Sequence, residues 1–263
     1  MLHELITYLT TPCPAHVRRL RYLYEIIGLR ARHRRHREAW RPHLGNTRAF
    51  VLAAAARCDR CDSVAVYGAG LLLDLPLAEL ASRFRQVYLL DIVWLREARR
   101  QAGRYPNVTL VEHDATSVAQ AFHDHVRQGQ AGFPAALPAP PECVLRADLV
   151  VSLNLLSQLP VMPREYALGH VKDLDPGQLD AWCRRLVEAH FALLRSLDGR
   201  VCLVGDHAYV KRNREGRVVD SGSTVYGLAL PEPDAAWTWP VAPLGEGDRD
   251  TATELSVGAW HLR

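Results

Sequence analysis

Residues 64–76 constrain the fold more than any other stretch of this chain. Val64-Ala65-Val66-Tyr67 favours a strand and runs straight into the turn Gly68-Ala69-Gly70. Asp74 can then N-cap a helix opening near Pro76, a residue tolerated in a helix's first turn. About 20 residues later, Val87-Tyr88-Leu89-Leu90 ends in the carboxylate of Asp91. Strand, glycine turn, helix, strand and acid form the layout of a nucleotide-type cofactor site. Glycine lets the backbone approach a ligand, a helix N-terminus offers free N–H groups, and an acid at the second strand tip can accept ribose hydroxyls.

Strands and helices continue to alternate: helix 76–84, strand 87–91, helix 94–102, strand 108–111, helix 118–126, strand 148–153, helix 175–195 and strand 200–205. That alternation predicts an α/β fold, a doubly wound and mostly parallel sheet with right-handed crossovers. β-like segments at 207–211, 217–219, 223–230, 237–242 and 254–261 predict antiparallel strands at the end of the chain. Residues 129–141, rich in Gly, Ala and Pro, read as a loop. Ahead of this lie a short helix to about residue 11 and a helical pattern over 15–41, ended by Pro42 and Gly45-Asn46. A further helix spans 47–57.

From residue 50 onward the ordered series resembles the class I S-adenosylmethionine (SAM)-dependent methyltransferases, which have a Rossmann-like fold. The resemblance implies SAM as cofactor, an N-terminal helical cap over 1–48 and a methyltransferase-like domain over 49–263. It implies a cofactor site of Gly68, Ala69, Gly70, Asp91, Ile92, Asp114, Ala115 and Asn154, with Asp114 near the adenine amino group. Asn154 and His207 would face the acceptor as catalytic residues, with Asp206 and His170 as other possible bases. Two positions depart from the family pattern. Val66 stands where an acid is common, and Leu72 where a third glycine is common. Both touch the pocket for the methionine end of the cofactor, and Asp74-Leu75-Pro76 is a local substitute. Asn154-Leu155-Leu156-Ser157 differs from the motif of the subclass that methylates nucleic-base amino groups. A nicotinamide-dinucleotide site is disfavoured, because Leu73 replaces the last glycine of that fingerprint.

A chain of 263 residues with 48% hydrophobic content can bury one large core. No apolar run approaches a membrane span, and residues 1–14 lack the layout of a secretory signal, which predicts a cytoplasmic protein. Six scattered cysteines do not form a disulfide framework. The lone Cys58-x-x-Cys61 lacks the second pair a zinc site needs, so no metal is expected.

Net charge is only +3, but cations crowd residues 30–41: Arg30, Arg32, Arg34, Arg35, Arg37 and Arg41, with His33 and His36 between them. They form either a contact surface for an anion such as RNA, or a solvated face paired with acids elsewhere. A cap in this position makes His36, Trp40, His43 and Arg48 candidates for the acceptor side. Trp237, Trp239 and Trp260 either stack on a ligand or fill the seam between the last strands and a helix. The expected function is methyl transfer from SAM to a small-molecule acceptor. The alternatives are a binding or scaffold protein that has lost catalysis, and an RNA methyltransferase using the basic helix.

Overall fold

A computed structural model of the chain describes residues 2–130 and 132–262. The central element is an eight-stranded sheet in the order β3-β2-β1-β4-β5-β8-β7, with β6 paired to β5. The strands are β1 (Ser63–Tyr67), β2 (Gln86–Asp91), β3 (Val108–Glu112), β4 (Leu149–Leu153), β5 (Arg200–Asn213), β6 (Val218–Ser223), β7 (Ala235–Ala242) and β8 (Thr251–His261). β1 to β5 are mutually parallel, while β8 runs antiparallel to both β5 and β7. This is the doubly wound, Rossmann-like sheet that the alternation predicts.

The chain order reverses at β1, which has β2 on one side and β4 on the other, each joined to it in register from Val64 onward. A doubly wound sheet opens a crevice at the carboxyl ends of its strands at such a point. β4 is buried at every residue, as expected for a strand covered on both faces.

The helices are α1 (Leu2–Thr10), α2 (Ala15–Arg19), α3 (Tyr22–Arg35), α4 (Arg37–Ala56), α5 (Leu77–Arg83), α6 (Arg96–Ala102), α7 (Ala119–Arg127), α8 (Glu142–Leu145), α9 (Val161–His170) and α10 (Pro176–Ser196). α10 covers one face of the sheet. Its buried Leu179, Trp182, Cys183, Leu186, Val187, His190, Phe191 and Leu194 recur at helical spacing. Asp175 caps it by accepting the Gln178 N–H at 3.0 Å, and Pro176 opens its first turn. On the other face, α4 packs Val51, Ala54 and Ala55 into the core with Val66, Leu89 and Val151.

Several boundaries differ from expectation. The helix expected over 15–41 is divided at Arg21, which has φ +68°, and again at His36, with φ −115°. Because α4 starts anew after His36, Pro42 falls in its second turn, where it forfeits one backbone donor without ending the helix. α4 is therefore continuous across residues 48 and 49, the expected cap boundary. The strand expected over 223–230 is instead a turn, with Tyr226 and Gly227 at positive φ. Ser223 Oγ accepts the N–H groups of Val225 and Gly227 there. β5 does not stop at 205 but runs on to pair with β6 and β8.

Candidate active site

The turn after β1 requires glycine. Gly68 has φ +71°, and a Cβ there would lie 2.5 Å from the Leu153 carbonyl oxygen at the tip of β4. Gly70, with φ +40°, donates its N–H to Asp91 Oδ2 at 2.8 Å. Ile92 N–H donates to Asp91 Oδ1, also at 2.8 Å. Glycine loop and acid thus meet at one edge of the sheet. Enclosure of the Asp91 carboxyl raises its pKa to about 6, against the lowering effect of the Gly70 and Ile92 amides.

The chain does not enter a helix directly after this turn. α5 begins at Leu77, close to the start expected near Pro76, and buries Leu77 and Leu80 in the core. Leu72 takes a left-handed backbone, φ +58°, and sends its side chain into the core at 3% exposure. Asp74 makes no cap for α5, contrary to the sequence reading. Its Oδ2 accepts Asn154 Nδ2–H at 2.7 Å, linking the loop to the tip of β4, and desolvation raises its pKa.

Asn154 has φ +44° and donates its backbone N–H to the Val204 carbonyl at 2.7 Å. Its Oδ1 is buried and has no hydrogen-bond partner among the described residues. Its Nδ2 also lies 3.3 Å from His43 Nε2. Trp237 Nε1–H donates to His43 Nδ1 at 3.0 Å. An indole N–H can only donate, so Nδ1 accepts and the neutral imidazole carries its proton on Nε2. The Asn154 contact therefore joins two donors and is a close approach, with the amide directed to Asp74. His43 stacks on Trp239 at 3.9 Å between ring centres, and burial lowers its pKa to about 3. It is a neutral donor at neutral pH.

These groups border a cavity of about 290 Å³ at the carboxyl edge of the sheet. Gly68, Ala69, Gly70, Asp91, Ile92, Asp114, Ala115 and Asn154 all line it, so the structure brings together every residue expected at the cofactor. Tyr22, Ile26, Leu29, Trp40 and His43 cover it from α3 and α4, and Trp239, Val241 and Leu255 close it from β7 and β8. Leu71 and Leu73 line it, whereas Leu72 does not. Asp114 is largely engaged by its own turn. Thr116 N–H and Oγ1–H donate to Oδ1 at 2.9 and 2.6 Å, and Ala119 N–H donates to Oδ2 at 2.8 Å.

His207 is placed elsewhere, which corrects its expected acceptor role. It is the extra residue where the β5–β8 register shifts between Asp206 and Ala208, and it does not line the cavity. The bulge re-aims its side chain, and its ring lies 6.3 Å from Trp260. Asp206 is buried and accepts Ser157 Oγ–H at 2.8 Å, and exposed His170 bonds the Tyr166 carbonyl. Neither lines the cavity.

The basic segment is largely paired. Arg30 binds Glu97 at 2.6 Å and Thr7 at 3.0 Å. Glu246, in the β7–β8 connection, accepts from Arg32, Arg35 and His36. Arg41 pairs with Glu38 at 3.1 Å.

Tyr22, Tyr67 and His113, unmarked by any sequence motif, also line the cavity. Tyr67 is 1% exposed and its hydroxyl has no partner among the described residues. A tyrosine directly before the first glycine was its available signal, since the three residues before it, Val64, Ala65 and Val66, are apolar.

Fold and site together define a Rossmann-like α/β protein with a ligand cavity at the reversal point of its sheet. No protein-family profile and no curated protein matches the chain. Among solved structures, it is similar to Burkholderia thailandensis 1,6-didemethyltoxoflavin-N1-methyltransferase with bound 1,6-didemethyltoxoflavin and S-adenosylhomocysteine. That match has 13% identity over 82% of this chain and 78% of the other, with a TM-score of 0.36. The N-methyltransferase NodS from Bradyrhizobium japonicum, in complex with S-adenosylhomocysteine, matches at 13% identity over 84% and 87%, with a TM-score of 0.36. The 23S rRNA methyltransferase ErmE matches at 14% identity over 80% and 68%, with a TM-score of 0.30. Among the described residues, no helix is long and apolar enough to cross a membrane.

Proposed function

We propose that this protein is a SAM-dependent methyltransferase acting on a small-molecule acceptor. One observation carries the reading: the Asp91 carboxylate is fastened to the Gly70 amide at the rim of a covered cavity. The residues present fit an adenosyl group. Asp91 Oδ2 accepts the Gly70 N–H and Oδ1 the Ile92 N–H, the Val93 amide adds a further interaction, and the carboxyl keeps capacity for a ribose hydroxyl. Gly68 and Gly70 leave room for close approach, and Ile92 and Ala115 offer apolar walls. Asp114 has three of roughly four acceptor sites taken, which leaves one for an adenine amino group.

When bound, SAM supplies an electrophilic sulfonium methyl group. The chain's own contribution is enclosure and placement. Tyr22, Ile26, Leu29 and Trp40 cover one side of the cavity, and the tip of β4 with His43 borders the space where an acceptor would sit. Holding reactants at near-attack distance can contribute several kcal/mol without a strong base. The largely apolar cover and closing wall suit a small, partly hydrophobic acceptor.

The paired arginines weaken the case for RNA, because Glu97, Glu246 and Glu38 already answer several of the cations. The core position of Leu72 weakens the case for a catalytically dead scaffold, since that side chain leaves the cavity clear. Methyl-labelled SAM added to the protein and a cell extract tests the reading. Label is expected in the low-mass fraction and insensitive to nuclease. Label confined to RNA would overturn the acceptor class, and no transferred label despite cofactor binding would favour a binding protein.

A further inference from the structure

We propose that α1 is an interfacial anchor that docks the protein reversibly on an anionic lipid bilayer through Leu5, Ile6 and Leu9. The helix is amphipathic with its faces reversed. Residues three and four apart share a helix face, and Glu4, Thr7, Tyr8 and Thr11 form the side turned to the protein. Thr7 Oγ1 accepts Arg30 Nη2–H at 3.0 Å, Tyr8 packs on the cluster of Val17, Leu23 and Ile27, and Thr11 is buried. Leu5, Ile6 and Leu9 occupy the opposite side and are 55%, 50% and 68% exposed. A surface helix of a globular protein turns its apolar stripe to the core, so a stripe turned outward marks a contact surface.

Charge at both ends of α1 selects the occupant. Arg30 reaches Thr7, and the charges of Arg30 and Arg35 act on Glu4, so the first turn of α1 lies beside the end of α3. Arg34 there, and Arg37 just beyond it, are exposed and make no ion pair among the described residues. At the other end, Arg18 donates to the carbonyls of Tyr8 and Thr11 at 2.6 and 2.9 Å, which places α2 and the following Arg21 beside the last turn. Arg21 is exposed and lies over the ring of Tyr24, itself 56% exposed. The outward side of α1 carries no carboxylate.

A second copy of the chain fits this surface badly, because two-fold pairing of the stripes sets these cations against one another. An anionic bilayer answers both features. Aliphatic side chains protruding from a single convex helix enter the acyl boundary without a matching groove, and the flanking arginines attract the headgroups. At nine residues α1 is far too short to span a bilayer, so the contact is peripheral. The inference is independent of the methyltransferase reading and stands whether or not the cavity binds a cofactor.

Co-sedimentation of the full chain with extruded vesicles tests it. Wild type should sediment with vesicles of phosphatidylglycerol and phosphatidylcholine in equal parts, much less with phosphatidylcholine alone, and less as salt is raised. The variant Leu5→Ser/Ile6→Ser/Leu9→Ser should bind at least about tenfold more weakly while melting like wild type. Arg34→Gln/Arg37→Gln, which keeps the apolar stripe, should also bind more weakly and lose part of the salt dependence. Wild type that stays off the anionic vesicles, or binds both lipid compositions equally, would overturn the anchor, as would equal binding by the serine variant. A dimer in sedimentation velocity that the serine substitutions abolish would assign the stripe to a second copy and overturn it too. Should the serine variant melt lower than wild type, the arginine variant decides alone, and undiminished binding by it overturns the proposal.

Discussion

The Gly70 amide and the Asp91 carboxylate are joined at 2.8 Å, although 21 residues separate them in the chain. The bond couples the turn after β1 to the tip of β2 and leaves the acid on the cavity wall. The same enclosure raises the pKa of Asp91 to about 6. An ionised Asp91 accepts ribose hydroxyls better than the neutral acid, so affinity for S-adenosylhomocysteine should hold above pH 6 and fall below it. Titrations between pH 5 and pH 8 check this, and affinity that stays flat across that interval would count against Asp91 as the ribose acceptor.

Two glycines should respond in opposite directions to alanine. At Gly68, a Cβ meets the Leu153 carbonyl at 2.5 Å and the backbone is left-handed, so Gly68→Ala should destabilise by at least ~1–3 kcal/mol. At Gly28, within α3, a Cβ meets nothing within 4 Å, so Gly28→Ala should stabilise by about 0.4–1 kcal/mol. Chemical denaturation of both variants measures the two changes.

Glu246 ties the β7–β8 connection to the α3–α4 junction. The hydrogen bond from Arg35, with a smaller contribution from His36, holds its pKa down at about 2. A folded-state pKa below the unfolded value of roughly 4.3 contributes stability above that value, and the contribution is lost as pH falls toward the folded pKa. The melting temperature of Glu246→Gln should therefore lie below wild type at pH 7, and the gap should close between about pH 4 and pH 2. A gap independent of pH would show that the ion pairs are not its source.

Trp237 sets the tautomer of His43. Trp237→Phe leaves His43 Nδ1 buried without its donor, which should cost about 1–3 kcal/mol. Nitrogen chemical shifts of the imidazole should report the Nε2–H form in wild type and a changed tautomer ratio in the variant. The Nδ1–H form in wild type would contradict the assigned hydrogen bond.

The mostly parallel sheet, and the meeting of the glycine turn with Asp91 at its edge, were legible because they depend on local rules. Apolar runs make strands, Gly68 answers a close backbone approach, and Asp91 ends its strand. What the sequence concealed depends on long-range contacts. Nothing near His207 announced a bulge, because the shift is set by pairing with Val257 and Ser256 on β8. Asp74 read as a cap from its position before Pro76, yet it is held by Asn154, 80 residues away. The break at His36 is joined to Glu246, on the far side of the chain, which no helical periodicity could reveal. The basic run was visible, but its partners were not, and they turn a possible contact surface into a largely paired face.

Titration of S-adenosylhomocysteine into wild type and Asp91→Ala, with heat as the readout, tests the central claim most directly. The account predicts saturable one-to-one binding to wild type and a loss of at least about tenfold in the variant, as expected for hydrogen bonds to a charged group. No binding to wild type, or equal binding by both proteins, would contradict it.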